Sequence, residues 1–174
     1  MDIIVKNYSS QVGDLLIGSY EDRLCLCDWR YRQKRLTIDS RLQEGLGATY
    51  QIGTSPIIEQ AIVQLEEYFR KERQVFDIPL LMVGTDFQKQ IWNALIEVPY
   101  GTTETYQKLS ERINNPKAIR AVASANGANA ISIFIPCHRI IGSDKSLVGY
   151  AGGTQAKKDL LDLESNEAKQ LSIF

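Results

Sequence analysis

The pattern of apolar residues changes character near Gly84, and that change sets the architecture. Upstream, "VGDLLIGS", "RLCLCDW" and "VFDIPLLM" are short and rich in apolar and β-branched residues. Gly, Asp or charged turns bound them, as they bound strands. One amphipathic helix joins these strands. In "SPIIEQAIVQLEEYFRKER", Ile57, Ile58, Ala61, Ile62, Leu65, Tyr68 and Phe69 share a face. Ser55 supplies an N-cap and Pro56 suits the first helical position. Residues 30–54, charged and then Gly-rich, read as loops. Downstream of Gly84 short helices take over. "TDFQKQIWNALIEVPYG" opens with Thr85 and Gln88 at capping-box spacing, shows an apolar face of Phe87, Ile91, Trp92 and Leu95, and ends at Pro99 and Gly101. "TYQKLSERI" and "PKAIRAVASANG" predict two helices, with Asn115 as cap, Pro116 at the first position and Gly127 closing the second. That spacing fits a helix-turn-helix and fits a purely structural helical hairpin equally. "AISIFIP" and the Gly-rich "GYAGG" follow, then a last helix, "TQAKKDLLDLE", with Leu160, Leu161 and Leu163 on its apolar side. A sheet-plus-helix half followed by a helical half reads as α+β, with the boundary between residues 84 and 85.

Composition narrows the class. With 44% hydrophobic and 24% charged residues in 174, the chain is an ordinary globular one, not disordered or fibrous. No apolar run reaches the ~18–20 residues of a membrane span, and "MDIIVKNYSS" lacks the layout of a signal peptide. Three cysteines, an odd number, point to a reducing cytosol and a cytoplasmic location rather than to a disulfide framework. Cys25 and Cys27, two apart on a strand, should share one face as small half-buried residues. With a single histidine in the chain they lack the ligands of a zinc site, so no metal is expected. Net charge is −1, yet Lys108, Arg112, Lys117, Arg120 and Arg139 face only Glu111 within residues 105–140. A nearly neutral protein with one basic segment can carry a localised phosphate-binding face.

"IPCHRII" sets Cys137 beside His138, the only histidine. Neighbours on an extended strand point to opposite faces, so adjacency alone does not make them partners. Either Pro136 turns the chain so that both face one cavity, or a bound water bridges them. A free thiol is mostly protonated at neutral pH, and lowering its pKa by two units takes roughly 2.7 kcal/mol. Taken singly, Cys137 reads as an inert buried thiol and His138 as a structural histidine. Together, after a proline and beside Arg139, they read as nucleophile and base. Such a histidine needs a third group to fix its tautomer. Asp144, Asp159, Asp162, Glu164 and Glu167 all qualify by spacing.

"PCHR", "NPKAIRAV", "NGAN" and "GYAGG", in this order and spacing, closely resemble the O6-alkylguanine-DNA alkyltransferases, from about Phe87 to Glu164. The first half resembles, in outline, the ribonuclease-H-like domain such proteins carry. The resemblance implies an α+β protein: a ribonuclease-H-like sheet-plus-helix domain over 1–84 and a mainly helical, winged helix-turn-helix alkyltransferase domain over 85–174. It implies single-turnover transfer of an alkyl group from O6-alkylguanine, and from O4-alkylthymine, to Cys137 after base flipping. His138 becomes the base acting through a water, Glu164 the carboxylate orienting it, and Asn129 the hinge asparagine. Tyr106 is implied to rotate the 3′ phosphate and donate a hydrogen bond to the leaving guanine, and Arg120 to fill the gap in the base stack. Tyr150 becomes the pocket tyrosine, with backbone near Val148 and Ala151 reading the guanine edges. Ala121 and Ser124 are small enough for close approach to the sugar-phosphate backbone, and Lys117 adds phosphate attraction. The implied partner is double-stranded DNA carrying O6-alkylguanine, met by a monomer with no cofactor and no membrane. Ala130 and Ser132 depart from the prolines common in relatives. Two other readings share these residues: a cysteine hydrolase, which would release product catalytically, and a DNA-binding regulator, which would leave the lesion in place.

Overall fold

The computed structural model describes residues 1–147 and 149–165; Val148 and Glu167, both named above, lie outside them. Three antiparallel strands, β1 (Ile3–Ser10), β2 (Gly13–Tyr20) and β3 (Arg23–Trp29), open the chain, and β4 (Tyr50–Ile52) adds parallel to β1. The order is β3-β2-β1-β4. Glu21 and Asp22 both have positive φ, the geometry a two-residue hairpin between right-twisted strands needs. β1 is an addition to the sequence reading. Its inward Ile3 and Val5 are its only fully buried residues, so its alternation is weak.

Three expectations change here. Residues 30–54 are not loop throughout: they hold α1 (Arg35–Leu46) and β4. α1 buries only Ile38 and Leu42, which leaves little apolar periodicity to find. "VFDIPLLM" forms no strand, only a bridge between Leu24 and Leu80. Pro79 has no N–H to give a ladder, but its carbonyl accepts from Leu24 N at 2.9 Å. Cys25 and Cys27 do not share a face. The pairing of β2 with β3 shifts register between Gly18 and Ser19, skipping Cys25 as a bulge residue. Cys27 therefore packs with Leu15 and Trp29, and Cys25 with Ile3, Val5 and Leu42, both fully buried.

α2 (Pro56–Phe69) starts as expected, with Ser55 Oγ accepting from Ile58 N at 3.2 Å. α3 (Asp86–Ile96) carries the reciprocal Thr85–Gln88 capping box. α4 (Tyr106–Arg112), preceded by β5 (Glu104–Thr105), and α5 (Ile119–Gly127) form the helix pair. Asn115 and Pro116 do not start α5. They lie in the turn, where Asn115 O accepts from Ala118 N at 3.0 Å, and α5 begins at Ile119 with no side-chain cap. A 3-10 turn at Cys137–Arg139 leads into β6 (Ile140–Ile141), paired parallel with β5, and α6 (Thr154–Glu164) ends the described chain. The buried face of α6 holds Ala156, Lys157, Leu160 and Glu164, with Leu161 and Leu163 only partly covered.

One apolar cluster runs from Leu15, Ile17 and Trp29 through Leu65 to Leu95, Val122, Ile135, Cys137 and Leu160. The two halves thus share a core. Edge strand β3 meets both: Cys27 N donates to Ala130 O at 2.9 Å and Ser132 N to Cys27 O at 2.7 Å. The segment that forms this seam leads within a few residues into "PCHR". No helix among the described residues is long and apolar enough to cross a membrane.

Candidate active site

Pro136 resolves the geometry that adjacency left open. It leaves the extended conformation, with φ −80° and ψ 61°, and Cys137–Arg139 wind into a 3-10 turn. Successive side chains on such a turn diverge by about 120°, not 180°. Cys137 is 3% exposed and His138 fully buried.

Asn129 braces this turn. Its Nδ2 donates to Ile135 O at 2.9 Å and to Cys137 Sγ at 3.2 Å, while its Oδ1 accepts from Ile131 N at 2.9 Å. Burial pushes the Cys137 thiol up; the Asn129 hydrogen bond and the Arg32 and Lys157 charges pull it back in part. The resting thiol is therefore protonated, with one donor, Asn129 Nδ2, already aimed at its anion.

Of the carboxylates left open by spacing, Glu164 meets His138: Nε2 lies 2.5 Å from Oε2. Arg139 binds the same carboxylate, with Nε at 2.7 Å from Oε1 and Nη2 at 3.3 Å from Oε2. Burial raises the Glu164 carboxyl, but the hydrogen bonds from His138 and Arg139, with the Arg139 charge, outweigh it and hold it down at about 2. Burial lowers His138 more than Glu164 raises it, so the imidazole rests neutral. The carboxylate is an acceptor only, which places the imidazole proton on Nε2 and leaves Nδ1 a free lone pair. Nδ1 is buried and has no hydrogen-bond partner among the described residues. Cys137 thus sits beside a neutral base whose tautomer is set by an ionised carboxylate.

The "GYAGG" loop lies across this turn. Gly149 and Gly153 have φ of +84° and +90°, and a Cβ at Gly152 would stand 2.4 Å from Trp29 Cε2. Tyr31 Oη donates to Gly152 O at 3.0 Å. Tyr150 packs edge-on against Trp29, ring centroids 5.8 Å apart, and against His138 at 6.4 Å. Its hydroxyl is buried without a partner among the described residues. Tyr150, Ala151, Gly149, Gly127 and residues 31–34 line a cleft of about 520 Å³. Cys137 is not in that lining; Tyr150 connects the two.

Residues 86–166 match the family model described as the DNA-binding domain of 6-O-methylguanine DNA methyltransferase, and residues 3–82 match its ribonuclease-like domain. The chain belongs to this family. Relatives include the methylated-DNA-protein-cysteine methyltransferase of Methanosarcina barkeri, 41% identical over 92% of this chain and 96% of its own. That of Haemophilus influenzae is 44% identical over 90% of this chain and 83% of its own. The solved structure of Mycobacterium tuberculosis OGT in complex with DNA superposes with a TM-score of 0.79 at 36% identity, covering 92% of each chain.

Against that family the remaining predicted residues fall into two groups. Lys117, Arg120, Ala121 and Ser124 are all exposed, on α5 and the turn before it. Tyr106 opens α4, and a Cβ at Gly149 would lie 3.8 Å from its hydroxyl. Burial raises its phenol, as would a Cys137 thiolate, against an Asn126 hydrogen bond that lowers it. The basic segment shrinks. Arg139 is buried on Glu164, and the exposed Arg112 pairs with Glu104, leaving Lys108, Lys117 and Arg120 exposed with no ion pair among the described residues.

Several residues of the site gave no sequence signal. Arg32, buried with Asp28, donates to the carbonyls of Gly127 and Asn129. Arg41 donates to Ala128 O at 2.8 Å. Both cations thus meet the C-terminal end of α5, where its dipole is negative. Lys157 is buried with Nζ 2.5 Å from Ile140 O.

Proposed function

We propose that this protein repairs O6-alkylguanine, and by the same chemistry O4-alkylthymine, in double-stranded DNA by moving the alkyl group to Cys137 in one irreversible turnover. The alkyl carbon lies inside the duplex, so the base is flipped out through the minor groove before reaction. Arg120 enters the gap. Lys117, Ala121 and Ser124 set the exposed face of α5 against the sugar-phosphate backbone, and phosphate contacts position the protein without reading sequence. The flipped base enters beside Tyr150, with backbone at Ala151 against its edges.

There His138 Nδ1 takes the Cys137 proton through a water, and Glu164 holds the imidazolium that forms. The thiolate attacks the alkyl carbon. An S–C bond forms, the C–O6 bond breaks, and its electron pair leaves on guanine. Tyr106 supplies a hydrogen bond, then a proton, to that leaving group, and charge stabilised where it develops lowers the barrier. The thioether is not hydrolysed, so each molecule acts once.

The observation that carries this reading is the set Asn129–Cys137–His138–Glu164: a thiol held by an amide donor beside a neutral base of fixed tautomer. It is supported by the family's own names, since relatives are called methylated-DNA-protein-cysteine methyltransferases. We assign residues 1–84 to the ribonuclease-H-like domain and 85–174 to the DNA-binding alkyltransferase domain. The protein acts as a monomer in the cytoplasm, where its nucleophile stays reduced. Stoichiometric incubation with duplexes carrying O6-methylguanine tests the function: lesion lost should equal protein methylated, whereas lesion lost in excess of protein indicates a hydrolase.

A further inference from the structure

We infer that Tyr68, from the N-terminal half of the chain, is a positioning residue of the transfer site that holds Glu164 and sets how strongly His138 takes the thiol proton. This rests on the alkyl-transfer reading above and adds a member that neither the sequence motifs nor the family's motif residues include.

Tyr68 lies on the core face of α2 and is fully buried. Its hydroxyl donates to Glu164 Oε2 at 2.7 Å, between residues 96 apart in the chain. The same oxygen receives His138 Nε2 at 2.5 Å and Arg139 Nη2 at 3.3 Å. Oε1 takes Arg139 Nε at 2.7 Å and Gly101 N at 3.4 Å. A carboxylate offers about four lone-pair directions, so five donors compete for them. The phenol keeps its proton: burial and the Glu164 charge push it well above its ordinary value. Tyr68 is therefore a permanent neutral donor on the oxygen that His138 uses.

A donor on that oxygen disperses the carboxylate charge and weakens its pull on the imidazolium. Glu164 alone would make His138 more basic; Tyr68 moderates it. The other charged and titratable groups around the imidazole are Arg139 on the same turn, Lys157 and Glu164 on α6, and Cys137. Tyr100, beside Arg139, and Tyr150, edge-on to the ring, complete the set. Of these, only Glu164 hydrogen-bonds the Tyr68 hydroxyl, so altering that hydroxyl reaches the imidazole through Glu164. The competing account is packing alone. The Tyr68 ring touches Phe69, Phe76 and Tyr100, with centroids 5.4, 5.5 and 6.2 Å away, and phenylalanine would preserve all three contacts.

The test is the pH dependence of Cys137 benzylation by free O6-benzylguanine, which needs no DNA. Because burial keeps the resting thiol protonated and the imidazole neutral, the acid limb reports the proton lost from His138. In Tyr68→Phe the limb should move to higher pH by about half a unit, the scale on which one lost donor among several shifts a neighbour. Site-specific 3-fluorotyrosine at position 68, a more acidic phenol of nearly the same shape, should move it to lower pH. It also decides the matter if Tyr68→Phe does not fold. A limb unmoved in the folded variants, with only the plateau rate or the melting temperature altered, would overturn the inference and leave Tyr68 as core packing. Where wild-type protein does not benzylate, the same limb is read on methyl transfer from an O6-methylguanine duplex; no alkyl group on Cys137 from either substrate at any pH would instead overturn the alkyl-transfer reading beneath it.

Discussion

Asn129 holds Cys137 through its side-chain amide, with Nδ2 3.2 Å from Sγ and 2.9 Å from the carbonyl of Ile135. One residue thus ties the exit of α5 to the nucleophile. The donor favours the thiolate, and its partner Oδ1 pins Ile131 N. Both effects pass through a residue with 1% exposure, where no water can substitute.

Asn129→Ala should slow Cys137 alkylation by free benzylguanine about tenfold, the loss of one charge-assisted hydrogen bond of about 1.4 kcal/mol. It should also lower the melting temperature, because Ile131 N and Ile135 O lose partners. A reaction rate equal to wild type would mean the amide braces the chain only.

Arg120→Ala should reduce repair of duplex DNA far more than reaction with free benzylguanine, since only the duplex requires flipping. Lys117→Ala should weaken binding across all sequences and flatten its salt dependence by roughly one unit of slope. Parallel rate measurements on the two substrates decide it. Equal losses on both would place Arg120 in the fold or the pocket.

The catalytic half was legible because its signals are local. A capping box, a proline at a turn and the run "PCHR" are each readable from adjacent letters. The contribution of the N-terminal half was not. Tyr68 reads as an apolar position of an amphipathic helix, and nothing in the sequence marks a hydroxyl that meets Glu164 across 96 residues. Arg32 and Arg41 sit in a stretch with too few apolar residues to show a helix, yet they bind the backbone leaving α5. Cys25 and Cys27 were misplaced for a different reason. A bulge shifts side chains by one residue, and alternation counted along the sequence cannot see it.

Glu164→Gln should destabilise the protein at neutral pH by about 3 kcal/mol, with the gap closing in acid. The folded carboxyl lies at about 2, below its ordinary value. Its contribution is therefore fully present above pH ~4.5 and is lost as pH falls through about 2. Denaturant titrations at pH 7 and pH 3 measure the difference. The same destabilisation at both would mean Glu164 acts by shape alone.

Gly152→Ala should cost about 1–3 kcal/mol and slow benzylguanine transfer, because the new methyl meets the Trp29 ring at 2.4 Å. Trp29→Phe in the same chain should recover part of both. Melting and rate measured on the single and double variants check this, and a single variant equal to wild type would show that the loop yields freely.

In the proposed reaction Cys137 is the destination of the lesion's alkyl group. Intact-mass and peptide mapping after incubation with an equimolar O6-methylguanine duplex tests it most directly. One methyl group per protein is expected, on the peptide containing Cys137, with none on Cys25 or Cys27 and none in Cys137→Ala, which still binds the duplex. Methylation of Cys25 or Cys27, or loss of the lesion with the protein mass unchanged, would contradict it.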